Sequence, residues 1–94
     1  MSLGVELTRR FARQYKKLHD NTATDVDQAV EIIAETPSIG ERKKGDLAEL
    51  LSYKFHSHGQ LYLLGYTLDN QVRLIYLEAV VPHENFYRDL KRSG

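Results

Sequence analysis

The 94-residue sequence contains no cysteine and no tryptophan, and it has only two prolines and one methionine. Without cysteine the chain cannot form disulfides, cysteine-ligated zinc sites or iron–sulfur clusters, and it cannot use a thiol nucleophile. No apolar run approaches the roughly 18–20 residues that span a bilayer, and no signal-peptide pattern follows the start. We therefore expect a soluble protein of the cytoplasm with no membrane partner.

The sequence also has no net charge, because 13 Lys and Arg residues balance 13 Asp and Glu residues. This balance removes the simplest argument for nucleic-acid binding, which is a domain pI above ~9. The charges are nevertheless segregated: residues 8–19 carry five Lys or Arg residues and no acid, whereas residues 24–35 carry four acids and no Lys or Arg. Two interpretations follow, either two solvated helix faces that attract each other or a basic face that binds a polyanion.

The length, together with 41% hydrophobic residues, fits one globular domain over residues 1–94. In its first half, residues 4–7 predict a short strand. Apolar residues at helical spacing predict helices over 9–19 and 23–35, separated at Asp20-Asn21. The two helices are expected to pack as a pair on one face of a sheet. The side chains that they would bury there are Phe11, Tyr15, Leu18, Val30 and Ile33.

The second half changes to the alternating pattern of strands. The predicted elements are strands over 51–57, 61–68 and 72–81, turns at His58-Gly59-Gln60 and Asp69-Asn70, and a short helix over about 84–92. The fold class is therefore α+β with the order β-α-α-β-β-β-α. It consists of an antiparallel sheet, an N-terminal αα-hairpin on one face and a short C-terminal helix.

Strand alternation predicts which side chains face away from the helices. Lys54 and His56 share this open face of the sheet, and His58 joins them if the strand extends that far. His83 and Tyr87 follow the last strand, so the most concentrated chemistry of the chain collects on the open face. That face is expected to be polar or functional, because a large bare apolar face would associate. The opposite face, against the helices, is predicted to hold Tyr53, Phe55, Tyr62, Leu64 and Tyr66.

Five segments, taken in order and spacing, carry a family resemblance. They are the N-terminal strand and helix pair with Arg10-Phe11 and Lys16-Lys17-Leu18, then Lys44-Gly45-Asp46-Leu47, Tyr53-Lys54-Phe55, Leu61 to Tyr66, and the ending Pro82 to Lys91. The ending is the most specific, because it places His83 four residues before Tyr87, as RelE-like proteins do. Over most of its length the chain resembles the RelE/ParE superfamily of bacterial type II toxins.

The resemblance implies a metal-independent endoribonuclease that cuts mRNA, in many members on the ribosome, and a cognate antitoxin protein that masks it. Lys54 stands where RelE has its first catalytic lysine, and His56 stands where RelE has a second lysine. Tyr87 matches the C-terminal tyrosine, and His83 falls on a basic position of the family. No metal or other cofactor is implied. The residues expected to contact RNA are Lys43, Lys44, His58 and Arg88.

The sequence departs from RelE at two positions, since Leu63 and Val81 stand where RelE has arginines. Histidine-based relatives indicate that the superfamily can cut RNA with imidazoles, whereas the ParE branch lacks the nuclease residues and targets DNA gyrase. Three functions therefore stay open. They are an mRNA endoribonuclease, a gyrase inhibitor, and a member that only binds its antitoxin.

Each candidate residue also has a purely structural explanation. A lysine on an exposed strand prevents edge-to-edge association. His56-Ser57-His58 is also typical of a polar hairpin end, and Tyr87 would cover the core beside Phe86. A metal site formed by His56, His58 and His83 is a further alternative, which the absence of an organised carboxylate nearby disfavours.

Overall fold

The structure is a computed structural model that describes residues 3–42 and 50–83. The predicted C-terminal helix over 84–92 lies outside these residues. No helix in the two described ranges is long and apolar enough to cross a membrane. The elements are helices α1 (Arg9–Lys16) and α2 (Asp20–Glu35), a 3-10 turn (Pro37–Ile39), and strands β1 (Gly4–Leu7), β2 (Glu41–Arg42), β3 (Leu51–Ser57), β4 (Gln60–Asp69) and β5 (Leu74–Pro82).

The five strands form one sheet in the order β1-β5-β4-β3-β2. Strands β2 to β5 pair antiparallel with their neighbours, whereas β1 pairs with β5 in parallel. The α+β class is confirmed, but the sheet is mixed where a wholly antiparallel one was predicted. Because two helices separate β1 from the other strands, no hairpin constrains its direction, and it joins the last strand of the chain.

The boundary between the two helices differs from the prediction. The first helix ends at Lys16 with Lys17 as its C-cap, and the second begins at Asp20 with His19 as its N-cap. Asp20-Asn21 therefore starts the second helix, and its prediction as the end of the first was wrong. The physical reason is that an acid in the first turn interacts favourably with the helix dipole.

Both helices pack on one face of the sheet, and the core lies between. Phe11 and Ile33 are 2% and 0% exposed, as predicted for the two apolar stripes. The other side chains of those stripes, Tyr15, Leu18 and Val30, are partly buried against the same core. Burial of a Phe or Ile side chain stabilises the fold by about 1.5–3 kcal/mol.

The aromatic face of β3 and β4 also lies in this core, as predicted. The ring of Phe55 stacks on Tyr53 of the same strand and on Tyr62 of the neighbouring strand. The centroid distances are 6.5 and 5.7 Å, respectively. Leu64 and Tyr66 continue the row and are fully buried. The Tyr66 hydroxyl donates to the carbonyl of Pro37 at 2.7 Å and accepts from the amide of Gly40 at 2.9 Å, which fixes the chain after α2.

The connection between β4 and β5 is longer than the two-residue turn predicted at Asp69-Asn70. The strands separate after Asp69 and resume at Leu74. The Asp69 carboxylate accepts from the amides of Gln71 and Val72, and Arg73 adopts a φ of 55°. An Asp side chain that bonds the following amides stabilises such a turn locally, so the turn takes residues that the prediction gave to the strand.

A β-bulge in β5 changes the composition of the open sheet face. Tyr66 pairs with Leu77 while Gly65 pairs with Ala79, so Glu78 is an extra residue. The Glu78 carboxylate accepts a bond from the Thr67 hydroxyl at 2.9 Å. A bulge shifts the alternation of the strand that contains it. The residues after it therefore bring apolar side chains to the open face.

The open face consequently contains a buried apolar cluster, formed by Leu50, Leu63, Ala79 and Val81. This part of the open face is therefore apolar, whereas exposed polar side chains lie at the end nearer His56.

Helix α1 continues the edge of the sheet where β1 stops. The hydroxyl of Thr8 donates to the carbonyl of Leu77 at 2.8 Å and accepts from the amide of Phe11 at 3.2 Å, so one side chain caps the helix and ties it to β5. Further along, Oε1 of Gln14 accepts from the amide of Val80 at 2.8 Å. These bonds satisfy backbone groups that would otherwise face an unpaired strand edge.

Candidate functional site

The open face carries its polar side chains at the end of β3. Lys54 and His56 alternate with Tyr53 and Phe55, because successive side chains of a strand point to opposite faces. Both polar side chains are exposed. Neither has a hydrogen bond or ion pair to the described part of the chain, which leaves the ammonium and the imidazole available to a ligand.

The strand register ends at Pro82, so His83 follows β5 beside the row that contains His56. His56 pairs with Leu61 across β3 and β4, and Tyr62 pairs with Pro82 across β4 and β5. Leu61 and the exposed His83 also line one shallow depression of about 490 Å³ with Gly59. Strands are ~4.8 Å apart, so positions two strands apart lie roughly 10 Å from each other. His56 and His83 therefore lie towards the same end of the sheet.

Lys54 lies in the next row of the same face. It pairs with Leu63, which in turn pairs with Val81. Leu63 and Val81 are 1% and 5% exposed. The two positions where the resemblance expects arginines are thus interior positions of the apolar cluster. An unpaired guanidinium there would bear a large desolvation cost.

His58 does not join the other two histidines. The strand ends at Ser57, and the turn that follows uses left-handed backbone at His58 (φ 52°) and Gly59 (φ 80°). His58 lines a different pocket, on the helix side of the sheet, together with His19 and Thr22. The condition under which His58 was predicted to share the open face is therefore not met.

The buried hydroxyl of Ser57 explains where the strand ends. Ser57 Oγ donates to Asp25 Oδ2 at 2.6 Å and lies 3.1 Å from Thr22 Oγ1. These contacts attach the last residue of β3 to α2, and they hold the turn on the helix side. Within residues 3–42 and 50–83, no group of three or more His, Asp or Glu residues is placed to hold a metal ion.

Four of the predicted site residues lie outside the described residues: Lys43, Lys44, Tyr87 and Arg88. Among the residues that are described, Lys54, His56 and His83 lie on one face and His58 lies elsewhere. Leu61 was not among the site residues predicted from the sequence, although it pairs with His56 and lines a depression with His83. Its signal was present, because it faces the same side as His56 by strand alternation.

The arrangement combines two imidazoles, which serve as acids and bases in many proteins, with one ammonium on a solvent-facing sheet. Proton transfer to and from a bound molecule, and stabilisation of negative charge on it, are the chemistry that such a set can supply.

Several solved structures with a similar fold are RelE toxins or their complexes, from bacteria and an archaeon. The toxin–antitoxin complex RelBE2 of Mycobacterium tuberculosis matches with a TM-score of 0.77 and 21% identity, over 88% of this chain and 100% of that one. The isolated Escherichia coli RelE toxin matches with a TM-score of 0.72 and 16% identity, over 99% of this chain and 100% of that one. The RelE–RelB complex of Pyrococcus horikoshii matches with a TM-score of 0.61 and 16% identity, over 87% and 96%.

No curated protein sequence matches the chain significantly. The sequence model of one family does match, over residues 5–91, and that family is described as the ParE-like toxin of type II bacterial toxin–antitoxin systems. The match covers all the described strands and helices except Gly4, the first residue of β1. The chain therefore belongs to the ParE-like toxins of type II toxin–antitoxin systems, within the RelE/ParE superfamily.

Proposed function

We propose that this toxin is a metal-independent endoribonuclease that cleaves mRNA on the ribosome and so inhibits translation in the cytoplasm. The observation that supports the proposal is the strand pairing, which brings His56 and the end of β5 before His83 to the same end of the sheet, with Lys54 in the row next to His56. All three side chains are exposed. A gyrase inhibitor would have no need of acids or bases placed in this way.

Cleavage would follow the chemistry of RNA itself. A base removes the proton of a 2′-hydroxyl, whose oxygen then attacks the adjoining phosphorus. The bond to the 5′-oxygen breaks, and an acid protonates that oxygen, which leaves a cyclic phosphate and a 5′-hydroxyl. His83 is proposed as the base or acid and Lys54 as the cation that stabilises the phosphorane. His56 would contact the RNA backbone and Tyr87 would stack on a base.

The partner proposed for this chain is a cognate antitoxin encoded beside it. The relatives from Mycobacterium tuberculosis and Pyrococcus horikoshii were solved as complexes with antitoxins. We propose that the antitoxin covers Lys54, Lys43, Lys44 and the C-terminal segment, since acidic or apolar segments bind such surfaces. The chain should co-purify with its neighbour's product, and charge reversal at Lys43 and Lys44 should weaken the complex. An unchanged affinity would place the antitoxin elsewhere.

The catalytic assignment is tested by two substitutions and a matched control. His83→Ala and Tyr87→Phe are each expected to reduce cleavage of ribosome-bound mRNA by about tenfold or more, because a positioned acid or base contributes ~10²–10⁴-fold. His19→Ala removes another exposed histidine, away from the sheet face, and should cleave like the wild type. A rate that falls at low pH identifies His83 as the base, and a rate that rises identifies it as the acid. Wild-type cleavage by His83→Ala would contradict the site.

One observation favours a second function. Leu63 and Val81, which stand where RelE has arginines, lie in a buried apolar cluster. The two substitutions relative to RelE therefore contribute to the packing of this chain. A ParE-like inhibitor of DNA gyrase, or a member that only binds antitoxin, would function without these two arginines. Induction of the toxin, with mRNA integrity and DNA supercoiling followed in the same cells, separates the three. Intact mRNA with halted supercoiling would replace the nuclease proposal.

A further inference from the structure

Helix α1 presents a continuous cationic surface. With 3.6 residues per turn, Arg9, Arg10, Arg13, Lys16 and Lys17 fall within an arc of roughly 120° around the helix axis. The arc lies opposite Phe11, which is buried in the core. Four of the five cations are exposed, and Arg10 is partly exposed. We call this surface the α1 basic face.

The cations of this face have no partner within the described ranges. No hydrogen bond or ion pair joins any of their side chains to residues 3–42 or 50–83. The acidic helix beside them does not neutralise them, because the bond between the two helices is a different one, from the Tyr15 hydroxyl to Asp27 Oδ1 at 2.8 Å. Of the two interpretations of the segregated charge, mutual attraction of the helix faces is therefore disfavoured.

We propose that the α1 basic face binds the phosphate backbone of duplex RNA. Unpaired Arg and Lys side chains on a convex helix suit phosphate contacts, which need only positive charge and release of counterions. A protein partner would need an aromatic or aliphatic anchor at the centre of the interface, and this arc contains none. Single-stranded RNA is held by stacking on aromatic rings, yet Tyr15 is stacked on Phe11 at 6.0 Å and faces α2.

The anchoring of α1 to β5 fixes the direction of the helix. Thr8 bonds to Leu77 and Gln14 bonds to Val80, so α1 runs along β5 in the direction of His83. The turn after α1 reaches the β3–β4 turn, where His19 and His58 line one pocket. The choice of RNA over DNA rests on the proposed function, whereas the surface itself does not.

The test measures binding of a labelled 20-base-pair RNA duplex to the purified chain over a range of salt concentrations. The triple variant Arg9→Gln, Arg13→Gln and Lys17→Gln keeps good helix formers in place. We expect it to bind at least tenfold more weakly at physiological salt, with a salt slope shallower by roughly 2–3, since each phosphate contact contributes ~0.7–0.9. Arg13→Gln alone should give about a third of the change in slope.

Two controls separate the outcomes. Arg73→Asn removes one charge from the exposed β4–β5 turn and keeps a residue that tolerates its positive φ, so it should bind like the wild type. His83→Ala should also bind the duplex normally, which distinguishes this surface from the proposed nuclease site. Equal binding by the triple variant and the wild type would overturn the proposal. So would tighter binding of a DNA duplex, or α1-dependent binding of a polyglutamate peptide without duplex binding.

Discussion

Two serines of β3 are both buried, but they differ in hydrogen bonding. Ser57 is 2% exposed and bonded to α2, whereas Ser52 is 3% exposed and its hydroxyl has no partner in the described structure. A buried hydroxyl without a partner costs about 1–3 kcal/mol, and a bond to a charged group contributes about 1.5–3 kcal/mol. The same substitution should therefore have opposite effects at the two positions.

Ser57→Ala is expected to lower the free energy of unfolding by about 1.5–3 kcal/mol, because it leaves Asp25 without its donor. Ser52→Ala is expected to leave it unchanged or to raise it by about 1 kcal/mol. Urea unfolding of both variants gives the comparison, with the midpoint as the readout. Destabilisation of Ser52→Ala by as much as Ser57→Ala would mean that Ser52 has a partner after all.

Tyr66 gives the fold a dependence on alkaline pH. Burial raises the pKa of the Tyr66 hydroxyl, while its bond from the Gly40 amide acts in the opposite direction and is smaller. A raised pKa means that folding favours the protonated phenol. This part of the stability is therefore complete below pH ~10, where unfolded tyrosine begins to ionise, and it is lost as the pH rises through the folded pKa.

We expect the wild type to lose stability between about pH 8 and about pH 10.5 by more than Tyr66→Phe does, measured by urea unfolding at each pH. Tyr76→Phe, on the other face of the sheet, is the matched control and should keep the wild-type pH dependence. The same pH dependence in Tyr66→Phe and the wild type would assign the effect to other groups. Gly40 is required beside this hydroxyl, because a Cβ there would lie 2.5 Å from it.

At the scale of elements, α1 takes the place of a neighbouring strand for β5 beyond the end of β1, because the Gln14 side chain accepts a hydrogen bond from the backbone of β5. Gln14→Ala should leave the Val80 amide without its acceptor and lower stability by about 1–2 kcal/mol. Hydrogen exchange at Val80 should become faster. Gln28→Ala, on the exposed side of α2, is the control and should not change that exchange rate. Equal protection of Val80 in both variants would show that the helix is held by its apolar contacts alone.

The elements that sequence reasoning predicted well are those with a strong local period. The stripes through Phe11 and Ile33, and the alternation through Phe55, each repeat over several residues, and the structure confirms them. The predictions were wrong where a single hydrogen bond, or pairing with a strand distant in the sequence, determines the local structure. Ser57 ends β3 through a contact 32 residues away, and Glu78 bulges opposite a glycine. Neither leaves a periodic signal in the sequence.

At the scale of the molecule, the candidate site was predictable only where it follows from the register. Lys54 and His56 share a face by alternation alone, and His83 joins them because β5 ends beside β4. The burial of Leu63 and Val81 was not predictable, because it depends on the bulge at Glu78, which turns Ala79 and Val81 to the open face beside Leu63. The role of each site residue stays a prediction.

The parallel pairing of β1 with β5 has a consequence for folding. Thr8 and Leu77 bond across 69 positions of the chain, so the sheet edge forms only after a large loop has closed. Proteins with many such distant contacts fold slowly. A growing chain without β5 also lacks Ile75, Leu77 and Val80, and with them the centre of the core. We therefore expect the toxin to stay unfolded, and harmless, until β5 has been synthesised.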